Sequence, residues 1–203
     1  IKGFLFGQYR PEESLKDIKS IIMGSSFDIN PIYKSPKYSI NFLEVHDNYT
    51  FSDYIRFSLD IASKDDIIKE PTIILNNKNK ILKINKLAAV ILFTSQGIPI
   101  IHQGQEWAHS QIIAKSNFPD PDIGKIDNNP YNKDNQTNWI NWNHKELNKE
   151  LVNYYKNLIQ IRRSIPLFRH ATKDDFRFQG LSEHALGFLI KDKIAVYING
   201  NQF

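Results

Sequence analysis

His46, Asp47 and Asn48 stand at the end of an apolar run formed by Ile40, Phe42, Leu43 and Val45. All three side chains can hydrogen-bond and two can carry charge. The run has the length of one buried strand. In a parallel α/β architecture, the carboxyl ends of strands are where reactive groups gather, so a histidine beside an aspartate there suggests a site. The same three residues also suit an Asx turn closing the strand, with Asp47 capping the next element. A second short apolar run, Ile98-Pro99-Ile100-Ile101, ends in the polar stretch His102-Gln103-Gly104-Gln105-Glu106-Trp107.

The elements between the two runs decide how their ends relate. Thr50 or Ser52 can cap a helix through Tyr54, Ile55, Phe57, Leu59 and Ile61. Residues 64–83, charged and asparagine-containing with Pro71 inside, read as a mobile excursion. Leu87–Phe93 is apolar all round, and Ala88-Ala89 permits close approach, so this helix is expected to be heavily buried. Ser95-Gln96-Gly97 stops it, with Gly97 as a left-handed cap. Strand, capped helix, strand is the unit of a parallel sheet, which places both polar ends on one side.

On either side the signals are of ordinary kinds. Pro11–Met23 reads as a first helix, with Pro11 in its first turn, Glu12 and Glu13 at its positive end, and Gly24 as its left-handed cap. A proline-punctuated loop through Pro31 and Pro36 leads to the first apolar run. Residues 108–145 form a long loop rich in Asn, Asp and Pro, carrying Tyr131, Trp139 and Trp142. A stretch this long without periodicity is functional or disordered. Its asparagines and aromatic faces could supply a sugar-binding surface, or the tryptophans could simply pin the loop. Asn148 caps a further helix containing Leu151, Tyr155, Leu158 and Ile159, closed by Pro166. From Phe176 on, alternation predicts antiparallel strands at Ala185–Ile190 and Lys193–Asn199 around a tight Lys191-Asp192 turn.

Composition bounds the function. The chain has 203 residues, 41% of them hydrophobic, which suffices for one sizeable core. Its net charge of +4 is scattered, with no basic run interleaved with aromatics, so no nucleic-acid partner is indicated. No apolar run approaches a membrane span. The absence of cysteine excludes disulfides and thiolate chemistry. Ile1 in place of a start methionine, and an ending that reads as strand and turn, suggest a piece of a longer chain. The compartment therefore stays open.

Four blocks carry a family resemblance. INFLEVHDNYTFSD (Ile40–Asp53) resembles the last signature region of the α-amylase superfamily, glycoside hydrolase family 13, in its pullulanase-type debranching form. LFTSQGIPIIHQGQEW (Leu92–Trp107) is similar to the passage from helix 7 to strand 8 of those enzymes. NPYNKDNQTNWINW (Asn129–Trp142) is similar to their Asn-Ser-Tyr-Asn loop, and YYKNLIQIRRSIPLFR (Tyr154–Arg169) to their final barrel helix. Ser52, Gln103 and Asn141 depart from the residues usual there, namely Trp, Ala and Asp.

The resemblance implies an α/β fold. Residues 1–169 would be the C-terminal part of a (β/α)₈ TIM barrel, from about helix 6 to helix 8, and 170–203 the start of an antiparallel β-sandwich domain. It implies a retaining hydrolase of α-1,6 linkages in α-glucan polysaccharides or oligosaccharides. The alternatives are an α-1,4-acting member of the family and a catalytically inactive glucan-binding homologue. By the same resemblance Asp47 is the carboxylate that stabilises the transition state, while His46, Asn48, Tyr131 and Asn132 bind substrate. No metal ligand is assigned and no cofactor is implied in this segment, although calcium elsewhere in a longer parent is compatible with it. A retaining glycosidase needs a nucleophilic carboxylate and a general acid about 5–5.5 Å apart, and in this family both lie on earlier strands. Glu44 is not a partner for Asp47, because strand alternation sends the two to opposite faces.

Overall fold

The computed structural model describes residues 5, 11–25, 33–69, 72–117, 119–182 and 185–200. Ile1, Pro31 and Pro71, each singled out above, lie outside the described residues. The chain divides into two compact units. One comprises residues 1–42, 87–100 and 156–203, the other residues 43–86 and 101–155.

In the first unit, α1 spans Pro11–Ile22 and buries Ile18 and Ile22. Gly24 ends it at φ +76°, and a Cβ there would lie 2.8 Å from the Cβ of Pro36, so both conformation and space require glycine. Strands β1 (Ile40–Asn41) and β2 (Ile98–Pro99) pair in parallel, Ile40 opposite Ile98 and Asn41 opposite Pro99. The expected buried strand is thus much shorter, and two of the four apolar side chains of its run are exposed while Leu43 and Val45 are half-buried. Ile40 is 53% and Phe42 49% exposed, because among the described residues the β1–β2 ladder has only these two strands.

Leu87–Thr94 forms the C-terminal half of α4 (Lys78–Thr94) and is buried as its composition demands, from Ala88 to Phe93 with Val90 half-covered. Arg162, in helix α6 (Lys149–Ser164), satisfies the end of α4. It donates to the carbonyls of Phe93 (2.7 Å), Ser95 (2.6 Å) and Gly97 (2.7 Å). The Phe93 carbonyl is one that the helix leaves without an intrahelical partner, Ser95 and Gly97 belong to the turn that follows, and a cation suits that negative end. Gln96 adds a second clamp. Its backbone N–H donates to Ile22, its side-chain amide donates to the Leu167 carbonyl, and its side-chain oxygen accepts from Ala171 N.

Helix α7 (Leu167–His170) leads to an antiparallel sheet of β3 (Phe176–Ser182), β4 (Ala185–Ile190) and β5 (Ile194–Asn199), in that order. The central strand β4 is buried along nearly its whole length, whereas β5 alternates as a one-sided strand does. Lys191 and Asp192 both take φ +52°, the backbone that a primed hairpin turn requires.

In the second unit, α2 (Phe51–Ser58) begins at Thr50, whose hydroxyl accepts from Asp53 N at 3.1 Å. Residues 64–83 are not a structureless excursion. They include α3 (Thr72–Leu75) and the first turns of α4. Lys80 and Lys83 face solvent while Ile81, Leu82 and Ile84 are buried, so the lysines are the outer face of an amphipathic helix. Ile73, Ile74 and Ile126 form a buried cluster, with Tyr49, Phe57 and Ile68 packed against it. The long loop is likewise partly ordered. Ile112 and Ile126 form an antiparallel bridge, and α5 (Trp142–Leu147) starts at the last of its tryptophans. Among the described residues no helix is long and apolar enough to cross a membrane.

Candidate functional site

The second unit carries a buried polar frame beneath its exposed loops. Asp53, fully buried in the first turn of α2, accepts from Arg56 (3.0 Å), from the Thr50 hydroxyl (2.8 Å), from Gln111 N (3.1 Å) and from the Ser110 hydroxyl. A buried carboxylate survives only when its lone pairs are used in this way. The same contacts fix the segment Ser110-Gln111, immediately after His109.

Glu44 is a second buried carboxylate. One oxygen accepts the Phe51 N–H at 2.5 Å, at the start of α2, where the helix end favours negative charge. The other oxygen lies 3.2 Å from His102 Nδ1 and 3.1 Å from His109 Nε2. Burial alone would push this carboxyl up. The hydrogen bonds with His102 and His109, the charge of His109 and the Phe51 N–H outweigh it and hold the group below its ordinary value. The hydrogen bond with Glu44 raises His102 in turn, against a smaller opposing effect of burial, and the charges of Glu44 and Glu106 add to the rise.

The backbone between the two histidines explains how they converge. Gly104 sits at φ +101°, and a Cβ there would lie 2.7 Å from both Cγ and Cδ2 of the His109 ring. Glycine is therefore the residue that lets the chain turn and lets the imidazole lie against its backbone. Gln105 Nε2 donates to the Tyr155 hydroxyl at 3.0 Å, and the Asn148 amide donates to the Trp107 carbonyl at 2.8 Å. Asn148, expected as a helix cap, thus spends its side-chain amide on the loop.

An open cavity of about 360 Å³ is lined by His46, His102, Gln103, His109, Gln111, Pro130, Tyr131, Asn138 and Ile140. It brings together two residues assigned to substrate from the sequence, His46 and Tyr131. Asp47 lies beside it in the chain, with its Oδ1 3.5 Å from His46 Nε2 and both side chains exposed. Asn48, at φ +66°, and Asn132 are also exposed and are not among the lining residues. Glu44 and Asp47 both lie beyond the end of β1, so strand alternation does not apply to them; their environments nonetheless differ, the first side chain 1% and the second 64% exposed. A larger open cavity, about 700 Å³, is bordered by Trp139, Trp142, Asn141 and His109 among others. Trp142 lies 5.5 Å from the buried Trp107 ring, carries the Lys145 ammonium 5.4 Å from its ring centre, and is itself exposed.

The sequence reading missed His109 and the role of Glu44. A signal was present: two histidines seven residues apart flank a glycine, and one glutamate interrupts an otherwise apolar run. Such a pattern shows no pairing until the parallel strands bring residues 44 and 102 to the same level.

No protein-family model matches the chain. A pullulanase of Bacillus subtilis is 29% identical over 196 residues, covering 94% of this chain and 23% of that protein. A glycogen debranching enzyme of Pectobacterium carotovorum is 28% identical over 162 residues, covering 68% of this chain and 21% of that protein. The crystal structure of a pullulanase from Paenibacillus barengoltzii, in complex with maltohexaose and α-cyclodextrin, superposes with a TM-score of 0.72 at 26% identity. That match covers 98% of this chain and 28% of the other. The chain spans about a quarter of the length of these relatives. This chain is similar in sequence to pullulanases and glycogen debranching enzymes, and in fold to pullulanases.

Proposed function

We propose that this chain is part of a retaining α-glucan hydrolase that cleaves α-1,6 linkages, as in pullulan, starch or glycogen. In this reading residues 1–169 complete a (β/α)₈ barrel whose earlier strands belong to a longer protein, and 170–203 begin a β-sandwich domain. The observation that carries it is the cavity that His46 and Tyr131 line together with Gln111 and Asn138, polar side chains beside an aromatic ring. Similarity to a pullulanase structure holding maltohexaose supports the substrate class. The uncovered apolar residues Ile40 and Ile98 of the two strands, and Phe42 and Ile100 just beyond them, support neighbouring strands in the parent.

In the mechanism so proposed, Asp47 holds the glycone hydroxyls and favours the flattened, oxocarbenium-like ring, by contacts that tighten in the transition state. His46 binds the same sugar in the ground state as well. The nucleophile and the general acid are supplied by the longer protein, so the 203-residue chain by itself is inactive. The test is reducing-sugar release from pullulan by both proteins. Activity in the longer protein and none in this chain is expected. Hydrolysis by this chain alone, or an inactive longer protein that still binds the glucan, would overturn the proposal.

A further inference from the structure

We infer that Glu44, His102 and His109 form a binding site for a divalent transition-metal ion of the zinc type. Among the described residues, they are the group of three metal-ligating side chains whose donor atoms all lie within 4.8 Å of one another. The distances from Glu44 Oε1 to His102 Nδ1 and to His109 Nε2, 3.2 and 3.1 Å, match the spacing of tetrahedral ligands. Bonds of about 2.0–2.1 Å to zinc place neighbouring ligands roughly 3.3 Å apart. One carboxylate oxygen and two imidazole nitrogens are the donor set that zinc takes where a further position stays open.

The surroundings are built to hold this geometry. The second oxygen of Glu44 is held by the Phe51 N–H, which orients the first toward the histidines, as outer partners of metal ligands do. His109 is seated against Gly104, and the segment after it is tied to Asp53 through Ser110 and Gln111. Both histidines border the 360 Å³ cavity, whereas Glu44 lies behind them, so a fourth ligand would enter from the cavity side. Binding replaces the hydrogen bonds between Glu44 and the two rings by three metal–ligand bonds. Protons on His102 Nδ1 and His109 Nε2 leave those atoms for the opposite ring nitrogens or for solvent. The site does not depend on the glycosidase reading.

The experiment is calorimetric titration of the untagged, chelator-treated chain with Zn(II), repeated with Co(II) under an absorption spectrophotometer. One equivalent should bind, and Co(II) should give the intense visible bands of a four- or five-coordinate ion. His102→Ala and His109→Ala should each weaken binding at least about tenfold, while His170→Ala, in the other unit, should bind as the parent does. Circular dichroism of each variant identifies any that fails to fold, and the Co(II) spectrum of the parent decides without variants. Absence of binding, a pale octahedral Co(II) spectrum, or undiminished affinity in a folded His102→Ala/His109→Ala double variant would each overturn the assignment.

Discussion

Asp47→Asn separates the catalytic reading of Asp47 from its alternative as a turn cap, because the two predict effects on different quantities. The substitution keeps the size of the side chain and removes its charge. In the structure Asp47 Oδ1 lies 3.5 Å from His46 Nε2, with the two side chains 64% and 73% exposed. Exposed pairs of this kind are worth about 0.2–1 kcal/mol. Among the described residues Asp47 also accepts no backbone N–H, as a cap would. Stability of this chain should therefore change by less than about 1 kcal/mol, or at most about 2–4 °C in Tm for a chain of this size. In the longer protein, losing one charge contact made in the transition state should cost roughly 2.7–4 kcal/mol, about 10²–10³ in rate. The loss should fall on kcat more than on KM, because the contact strengthens only as the ring flattens. Initial rates on pullulan and urea unfolding of the same variant measure both. Parental kcat together with an unfolding free energy lower by more than about 2 kcal/mol would refute the argument and restore the cap.

Three further outcomes concern the frame around the site. Asp53→Ala strands the buried Arg56 charge and should cost about 3–5 kcal/mol in urea unfolding, while Asp53→Leu with Arg56→Met should recover most of that; a single-variant loss under about 1 kcal/mol would contradict the role of the pair. Arg162→Met leaves the carbonyls of Phe93, Ser95 and Gly97 without their donor. It should cost about 2–5 kcal/mol and speed amide exchange in the last turn of α4, so parental exchange there would count against the clamp. Gly104→Ala forces both a left-handed backbone and displacement of the His109 ring, at about 1–3 kcal/mol. Its signature is a shifted His109 imidazole resonance, and an unmoved ring would show that the seat is looser than its geometry.

Much of the local architecture was legible in the sequence because it depends on near neighbours. Pro11 and Gly24 bracket α1 and Lys191-Asp192 turns the hairpin, each through the backbone conformation that its own residue permits, whereas Gly97, at φ +98°, falls three residues after α4 has ended at Thr94. Leu87–Phe93 announced its burial by composition alone. The charged stretch before it misled, since lysines at helical spacing look like a solvated loop until Ile81, Leu82 and Ile84 are seen to share one buried face. His46, Asp47 and Tyr131 were singled out by pattern, but only the tertiary structure set His46 and Tyr131 around one cavity and left Asp47 exposed next to His46. The joining of Glu44 to His102 and His109 is of the same kind. It spans 58 and 65 residues and depends on the pairing of two strands and on the room left by Gly104. Periodicity and capping report what a residue does to its own backbone, whereas a buried carboxylate is defined by the distant donors that make its burial tolerable.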